Sequence, residues 1–197
     1  MRVVHGALLL VMAAGACTGE IGSADDDGSG GDGGGTGTGS NVDAPPVVGE
    51  PTGLVGTTDA HNAERALAGV PPLTWDPALA AIASAWVMRC VDTAAPIGLV
   101  DHNPNRGQGY PESVGENIYG SSGQASGTAA VQLWVAEKAS YNYQANTCNG
   151  VCGHYTQVVW RTTTKVGCAL HTCPGLQYGS TVVCNYAPAG NSGGRPY

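Results

Sequence analysis

The stretch Gly153-His154-Tyr155-Thr156-Gln157-Val158-Val159-Trp160 is where a reading of this chain has to begin. Taken two residues at a time, it sets His154, Thr156, Val158 and Trp160 on one side and Tyr155, Gln157 and Val159 on the other. That alternation predicts a β-strand with a titratable ring at its mouth. Cys152 before the run and Cys168 after it would fasten the strand on both sides. A histidine so placed raises the question of which other polar groups the chain brings to it.

Downstream, Val166 to Cys173 and Thr181 to Ala187 are rich in residues that favour extended backbone and are predicted as two further strands. Upstream the signals are helical. Thr58 is placed to cap a helix through Leu67, stopped by Gly69 and the Pro71-Pro72 pair. Asp76-Pro77 opens a second helix running to about Cys90, whose Leu79, Ile82 and Trp86 give it a wide apolar face for packing on a sheet. Ser126-Gly127 opens a third, on which Trp134 and Glu137 lie three apart and share a face. Between them, Val91 to Tyr119 reads as irregular and holds His102, Glu112 and Glu116. His61, inside the first helix beside Asn62 and Glu64, reads as a hydrogen-bonded structural residue. Helices first and strands last predict an α+β fold, with helices covering a central antiparallel sheet.

Composition narrows the function classes. The formal charge of −7 comes from the start of the chain, since residues 1–56 hold seven of the fifteen acids and one of the eight bases. The remainder, at eight acids to seven bases, carries no basic stripe, which excludes nucleic acid as a partner. Phe is absent, so four Trp and eight Tyr supply the large core volumes, and their polar atoms require partners. Seven Cys, six of them beyond residue 89, indicate an oxidising compartment.

Residues 1–17 read as an export signal: Met1-Arg2, an apolar run from Ala7 to Ala14, then small residues. Ala14-Gly15-Ala16-Cys17 resembles a bacterial lipobox with Ala14 at the usual leucine position, making Cys17 a candidate for lipidation and the only membrane attachment expected. The alternative is ordinary signal cleavage nearby. Residues 18–55, rich in Gly, Ser and Asp, are predicted to be a flexible tether, and residues 56–197 the folded domain. The protein is therefore expected outside the cell or on the envelope surface.

Four motifs then converge in order: Gly115-Glu116-Asn117, Ala129-Ala130-Val131-Gln132-Leu133-Trp134-Val135, Gly153 to Arg161, and Cys184-Asn185-Tyr186. Together they resemble the CAP superfamily of cysteine-rich secretory proteins, antigen 5 and pathogenesis-related class 1 proteins, and especially its plant branch, over residues 58–197. The resemblance implies an α-β-α sandwich with an open groove lined by two histidines and two acids, which map onto His102, Glu116, Glu137 and His154. By the same likeness Cys90 pairs with Cys173, Cys148 with Cys152 and Cys168 with Cys184. Spacing alone leaves fifteen pairings open.

Two imidazoles and two carboxylates in one cleft have three physical readings. They can hold zinc or another divalent cation through His102 and His154 with Glu116 and Glu137 nearby, although no cofactor is required. They can perform acid/base chemistry without metal. They can also satisfy one another and tie loop to sheet. No Gly-x-Ser-x-Gly or His-Glu-x-x-His motif accompanies them, and the domain cysteines are expected to be bridged. The resemblance likewise points away from a general enzymatic role. It implies non-enzymatic binding of a lipid, a sterol or a protein partner, with a zinc-dependent extracellular hydrolase as the alternative. A second alternative is release of a C-terminal signalling peptide from Pro188 to Tyr197, as in plant relatives.

Overall fold

A computed structural model describes residues 49–197; the predicted export signal, Cys17 and the predicted tether up to residue 48 lie outside the described residues. The elements are α1 (Thr57–Leu67), β1 (Thr74–Trp75), α2 (Pro77–Val87), β2 (Gly115–Ser121) and α3 (Gly127–Ala136). A 3-10 turn (Glu137–Ser140), β3 (Tyr141–Asn142), β4 (Thr147–Cys148), α4 (Gly153–Val158), β5 (Lys165–Thr172) and β6 (Ser180–Ala187) follow.

Local chemistry accounts for two helix starts. The Asp76 carboxylate accepts from the backbone N–H groups of Ala78 and Leu79 at 2.8 and 2.9 Å, with Pro77 at the first helical position. Ser126 accepts from Ala129 N at 3.2 Å. The start of α1 differs from expectation. Gly56, at φ 84°, occupies the cap position, and the Glu50 carboxylate accepts from Gly56 N and Thr58 N at 2.6 and 2.5 Å. Leu54 is fully buried in the core as well, so residues ahead of Gly56 belong to the packed unit.

The sheet runs β1-β5-β6-β2. β5 and β2 flank β6 antiparallel in register, with Cys168 opposite Cys184 and Glu116 opposite Asn185. The expected central antiparallel sheet is present, and at one edge the two residues of β1 add to it by pairing parallel to β5. Val166, Cys168, Val182, Cys184 and Tyr186 face the side packed by Leu54, Trp134, Tyr155 and Val158. The alternate residues Ala169 and Val183 face Ala83 and Val87 of α2. The period of two along β5 and β6 thus produces the α-β-α sandwich. Gly167 lets α2 come close, since a Cβ there would sit 2.3 Å from Ala80 N. All three expected disulfides are present.

The main correction is the opening stretch, which is helical as α4 and not a strand. Tyr155, Val158 and Val159 have i, i+3, i+4 spacing and are all fully buried, so these few residues satisfy both periods. What selects the helix comes from elsewhere in the chain. The Glu137 carboxylate accepts from His154 N and Tyr155 N at 3.0 and 3.2 Å. At the other end the Arg65 guanidinium donates to the carbonyls of Val158 and Trp160, both at 2.9 Å. A short helix with no side-chain cap of its own is therefore closed by an anion at its N-terminus and a cation at its C-terminus, the signs its dipole favours.

Expected as structural, His61 is fully buried. Its Nδ1 donates to the Thr57 carbonyl at 2.8 Å, so its Nε2 accepts from the Tyr186 hydroxyl at 2.8 Å. The C-terminal residues form a strap: Gly190 N donates to Gln157 Oε1 at 2.9 Å, Arg161 N to the Pro196 carbonyl at 2.7 Å, and Tyr197 stacks on Tyr143 at 4.7 Å.

Candidate functional site

Glu116 lies in β2 and not in a loop, because the predicted irregular stretch becomes a strand from Gly115 onward. In register with Asn185 on β6, its side chain is fully buried. Glu116 Oε1 accepts from His102 Nδ1 at 2.7 Å and from Asn103 N at 2.9 Å. With its amide turned to satisfy both polar atoms, Asn185 donates to Glu116 Oε2 at 3.2 Å. A buried carboxylate with donors on both oxygens is a fixed anchor for the imidazole above it. The His102 side chain is 58% exposed.

Glu137 ends α3 and begins the 3-10 turn. Its shared face with Trp134 is used as the spacing suggested. Glu137 Oε1 accepts from His154 Nδ1 at 2.6 Å, while the His154 ring lies nearly parallel to that of Trp134, 16° apart, with centroids at 6.3 Å. The carboxylate that caps α4 therefore also sets the orientation of the histidine on its first turn. The His154 side chain is 30% exposed. Asn117 joins this pair to the core by donating to the His154 carbonyl at 3.1 Å and to the Tyr186 hydroxyl at 3.2 Å.

The four residues are thus two separate His–Glu pairs. Carboxylates only accept, so each Nδ1 carries a proton, and in the neutral imidazole each Nε2 presents a lone pair. His102 and His154 both line one cleft of about 500 Å³. Glu116 and Glu137 stand behind their histidines and do not line it. The rest of the wall is mainly apolar: Trp86, Pro96, Leu99, Val100 and Ile118. Motif reading missed this wall. A signal for it lay in Leu99-Val100, an apolar pair separated from His102 only by Asp101 in a stretch otherwise rich in turn residues.

The rim of the cleft is pinned by Asp101. Its carboxylate accepts from Thr93 N and Thr93 Oγ1, both at 2.8 Å, and from Ala94 N at 3.2 Å. Those hydrogen bonds, the Thr93 backbone one foremost, hold its pKa below the ordinary aspartate value. The Asp101 carbonyl accepts from the Trp86 indole at 2.6 Å and so ties the rim to α2. Among the described residues, neither site imidazole has a hydroxyl or thiol at hydrogen-bond distance, and the domain cysteines are bridged. A side-chain nucleophile paired with a histidine base is not assembled here.

As ligands for zinc, the arrangement offers two imidazole Nε2 atoms, each backed by a carboxylate on Nδ1, which is the usual outer-shell support of a metal-bound histidine. The carboxylates are committed to that support and to backbone donors. Among the described residues, the one group with three donor atoms within 4.8 Å is Cys90, His171 and Cys173. Its two sulfurs form a disulfide and offer no thiolate.

The sequence model of the CAP, or cysteine-rich secretory protein, family matches residues 58–186. Pathogenesis-related protein 1 of Arabidopsis thaliana is 45% identical over 147 residues, which cover 71% of this chain and 79% of that protein. Pathogenesis-related protein 1B of Nicotiana tabacum is 46% identical over 143 residues, covering 71% and 77%. Among solved structures, Schistosoma mansoni venom allergen-like protein 4 is similar with a TM-score of 0.60 and 31% identity, over 75% of this chain and 94% of that one. NaASP2 with Zn2+ is similar with a TM-score of 0.56 and 25% identity, over 77% and 88%.

Proposed function

The chain belongs to the cysteine-rich secretory protein family, and from that premise we propose that it is an exported protein that binds a lipid or sterol in the cleft between His102 and His154 without chemical conversion. The observation that carries this reading is the make-up of the cleft: a largely apolar wall whose polar groups are two imidazoles with Thr93 and Asp101. An apolar pocket with few convergent polar groups suits a ligand with a hydrocarbon body and one hydrogen-bonding head. A volume of about 500 Å³ has room for one such molecule. A protein partner inserting a side chain is the other occupant this reading admits. Three disulfides fit an oxidising compartment, and export, with a lipid anchor on Cys17, belongs to the same proposal.

Titration of fluorescent fatty acid and sterol probes into the full chain tests it. Saturable binding is expected, weakened at least about tenfold by Leu99→Trp, which fills the apolar wall. Absence of saturable binding to both probes, or equal affinity in the variant, overturns it.

A second reading, zinc binding, is favoured by the two carboxylate-backed imidazoles and by the NaASP2 relative described with Zn2+. His102 and His154 would hold the ion through Nε2, and the ion would supply Lewis acidity and an activated water. Calorimetry with zinc on the native chain and on His154→Ala decides it, since unchanged affinity in the variant removes this site.

Release of the C-terminal peptide after Ala187 is the remaining reading. Ala187 is fully buried, so cleavage there requires prior opening of the end of β6. Mass spectrometry of the mature protein tests for it.

A further inference from the structure

The three disulfides differ in how solvent reaches them. Cys168 and Cys184 are 1% and 0% exposed; Cys90 is half-buried and its partner Cys173 is 1% exposed, and Cys152 is 4% exposed. Cys148 is exposed, and together with Cys152 it lines an open depression of about 490 Å³ beside Tyr141, Asn146 and Asn191. The bridges also differ in what they restrain. Sequence separations are 83 for Cys90–Cys173 and 16 for Cys168–Cys184, but 4 for Cys148–Cys152. The smallest ring removes least freedom from the unfolded chain, so the fold survives its opening best.

This small ring sits at the start of α4. Cys152 immediately precedes Gly153, and its carbonyl accepts from Thr156 N at 2.9 Å and Thr156 Oγ1 at 3.1 Å. Cys148 ends the two-residue strand β4, whose pairing with β3 leads back through the 3-10 turn to Glu137. The bridge therefore links the hairpin that follows Glu137 to the helix that carries His154. We propose that Cys148–Cys152 is a site of thiol–disulfide exchange, at which a dithiol reductant opens the ring and loosens the first turn of α4, His154 included. The reductant's thiolate attacks the exposed Cys148 Sγ, breaking the bond to Cys152, which leaves as a thiolate. The reductant's second thiol resolves the mixed disulfide. Cys148 is released, and both protein sulfurs are reduced as the dithiol becomes a disulfide. This inference goes beyond the cleft's ligand and does not depend on it.

The test exposes the oxidised full chain to graded dithiothreitol, quenches in acid and locates alkylated cysteines by peptide mass spectrometry, with amide hydrogen exchange on the same samples. Cys148 and Cys152 are expected to become alkylated at least about tenfold faster than the other four cysteines. Exchange in residues 153–158 is expected to rise while β5 and β6 stay protected. Simultaneous opening of all three bridges overturns the proposal, as does early opening with unchanged exchange in α4. The paired Cys148→Ser and Cys152→Ser variant is expected to show the raised α4 exchange without reductant. Retention of the oxidised protein's exchange by that variant also overturns the proposal, and if it fails to fold the reductant series still decides.

Discussion

Acidification from pH 7 to pH 4 is expected to cost the fold about 3 kcal/mol through His61 alone. Burial is the main cause holding this imidazole neutral, with its pKa lowered from 6.5 to about 4. The hydrogen bonds explain why the protonated form fits badly. Nδ1–H already donates to Thr57, so a second proton on Nε2 would face the Tyr186 hydroxyl and take away that hydroxyl's acceptor. Tyr186 is itself fully buried, its remaining partner being the Asn117 amide, which donates to it. The new charge would also lie near the buried Arg65. In the unfolded chain the residue takes up its proton below about pH 6.5, and in the folded chain only near about 4. Within that window the unfolded state binds more protons. Stability is therefore full above pH 6.5, falls as the pH drops through the window and levels off below about 4 for this residue. At about 1.4 kcal/mol per pH unit the gap amounts to about 3 kcal/mol. The assay is urea unfolding with disulfides intact at a series of pH values, comparing the native chain with His61→Gln, which keeps an acceptor for Tyr186 and does not titrate. Carboxylates add a common acid loss to both proteins, so the difference between them isolates His61. Equal losses between pH 7 and pH 4 would refute the reasoning.

Glu137→Ala leaves the His154 and Tyr155 N–H groups without their acceptor and frees the His154 ring; a loss of about 2 kcal/mol in urea unfolding is expected, with a shifted His154 resonance by NMR. Arg65→Met removes the donor shared by the Pro71, Val158, Trp160 and Thr163 carbonyls, and its cost, by the same unfolding assay, is expected to exceed about 3 kcal/mol. Paired Cys→Ser replacements are expected to rank by ring size at about 2 kcal/mol for Cys148–Cys152, about 3 for Cys168–Cys184 and about 5 for Cys90–Cys173. Thermal and urea unfolding of the three variants read that order.

Legibility in the sequence followed the range of the interaction. His61 was readable as structural because its helix and polar neighbours are local, yet its Tyr186 partner lies 125 residues away and only the fold supplies it. Of the site, the pairing of Glu137 with His154 was foreshadowed by the shared face with Trp134. The pairing of Glu116 with His102 was not, because the strand that buries Glu116 was hidden in a stretch of turn residues. The apolar wall of the cleft comes from α2, the rim and β2 together, so no single segment announces it.

By itself, the sequence determined the starts of α2 and α3, through the side chains of Asp76 and Ser126 acting on N–H groups two or three residues away. It also determined the two long strands, whose alternating residues meet helices on both faces. Only the tertiary structure decided the state of residues 153–158. Six residues cannot repay the cost of nucleating a helix, and the groups that close this one, Glu137 and Arg65, reach it from 17 and 93 residues away. The orientation of His154 rests on the same carboxylate, so the candidate site comes into being only when those distant ends have met.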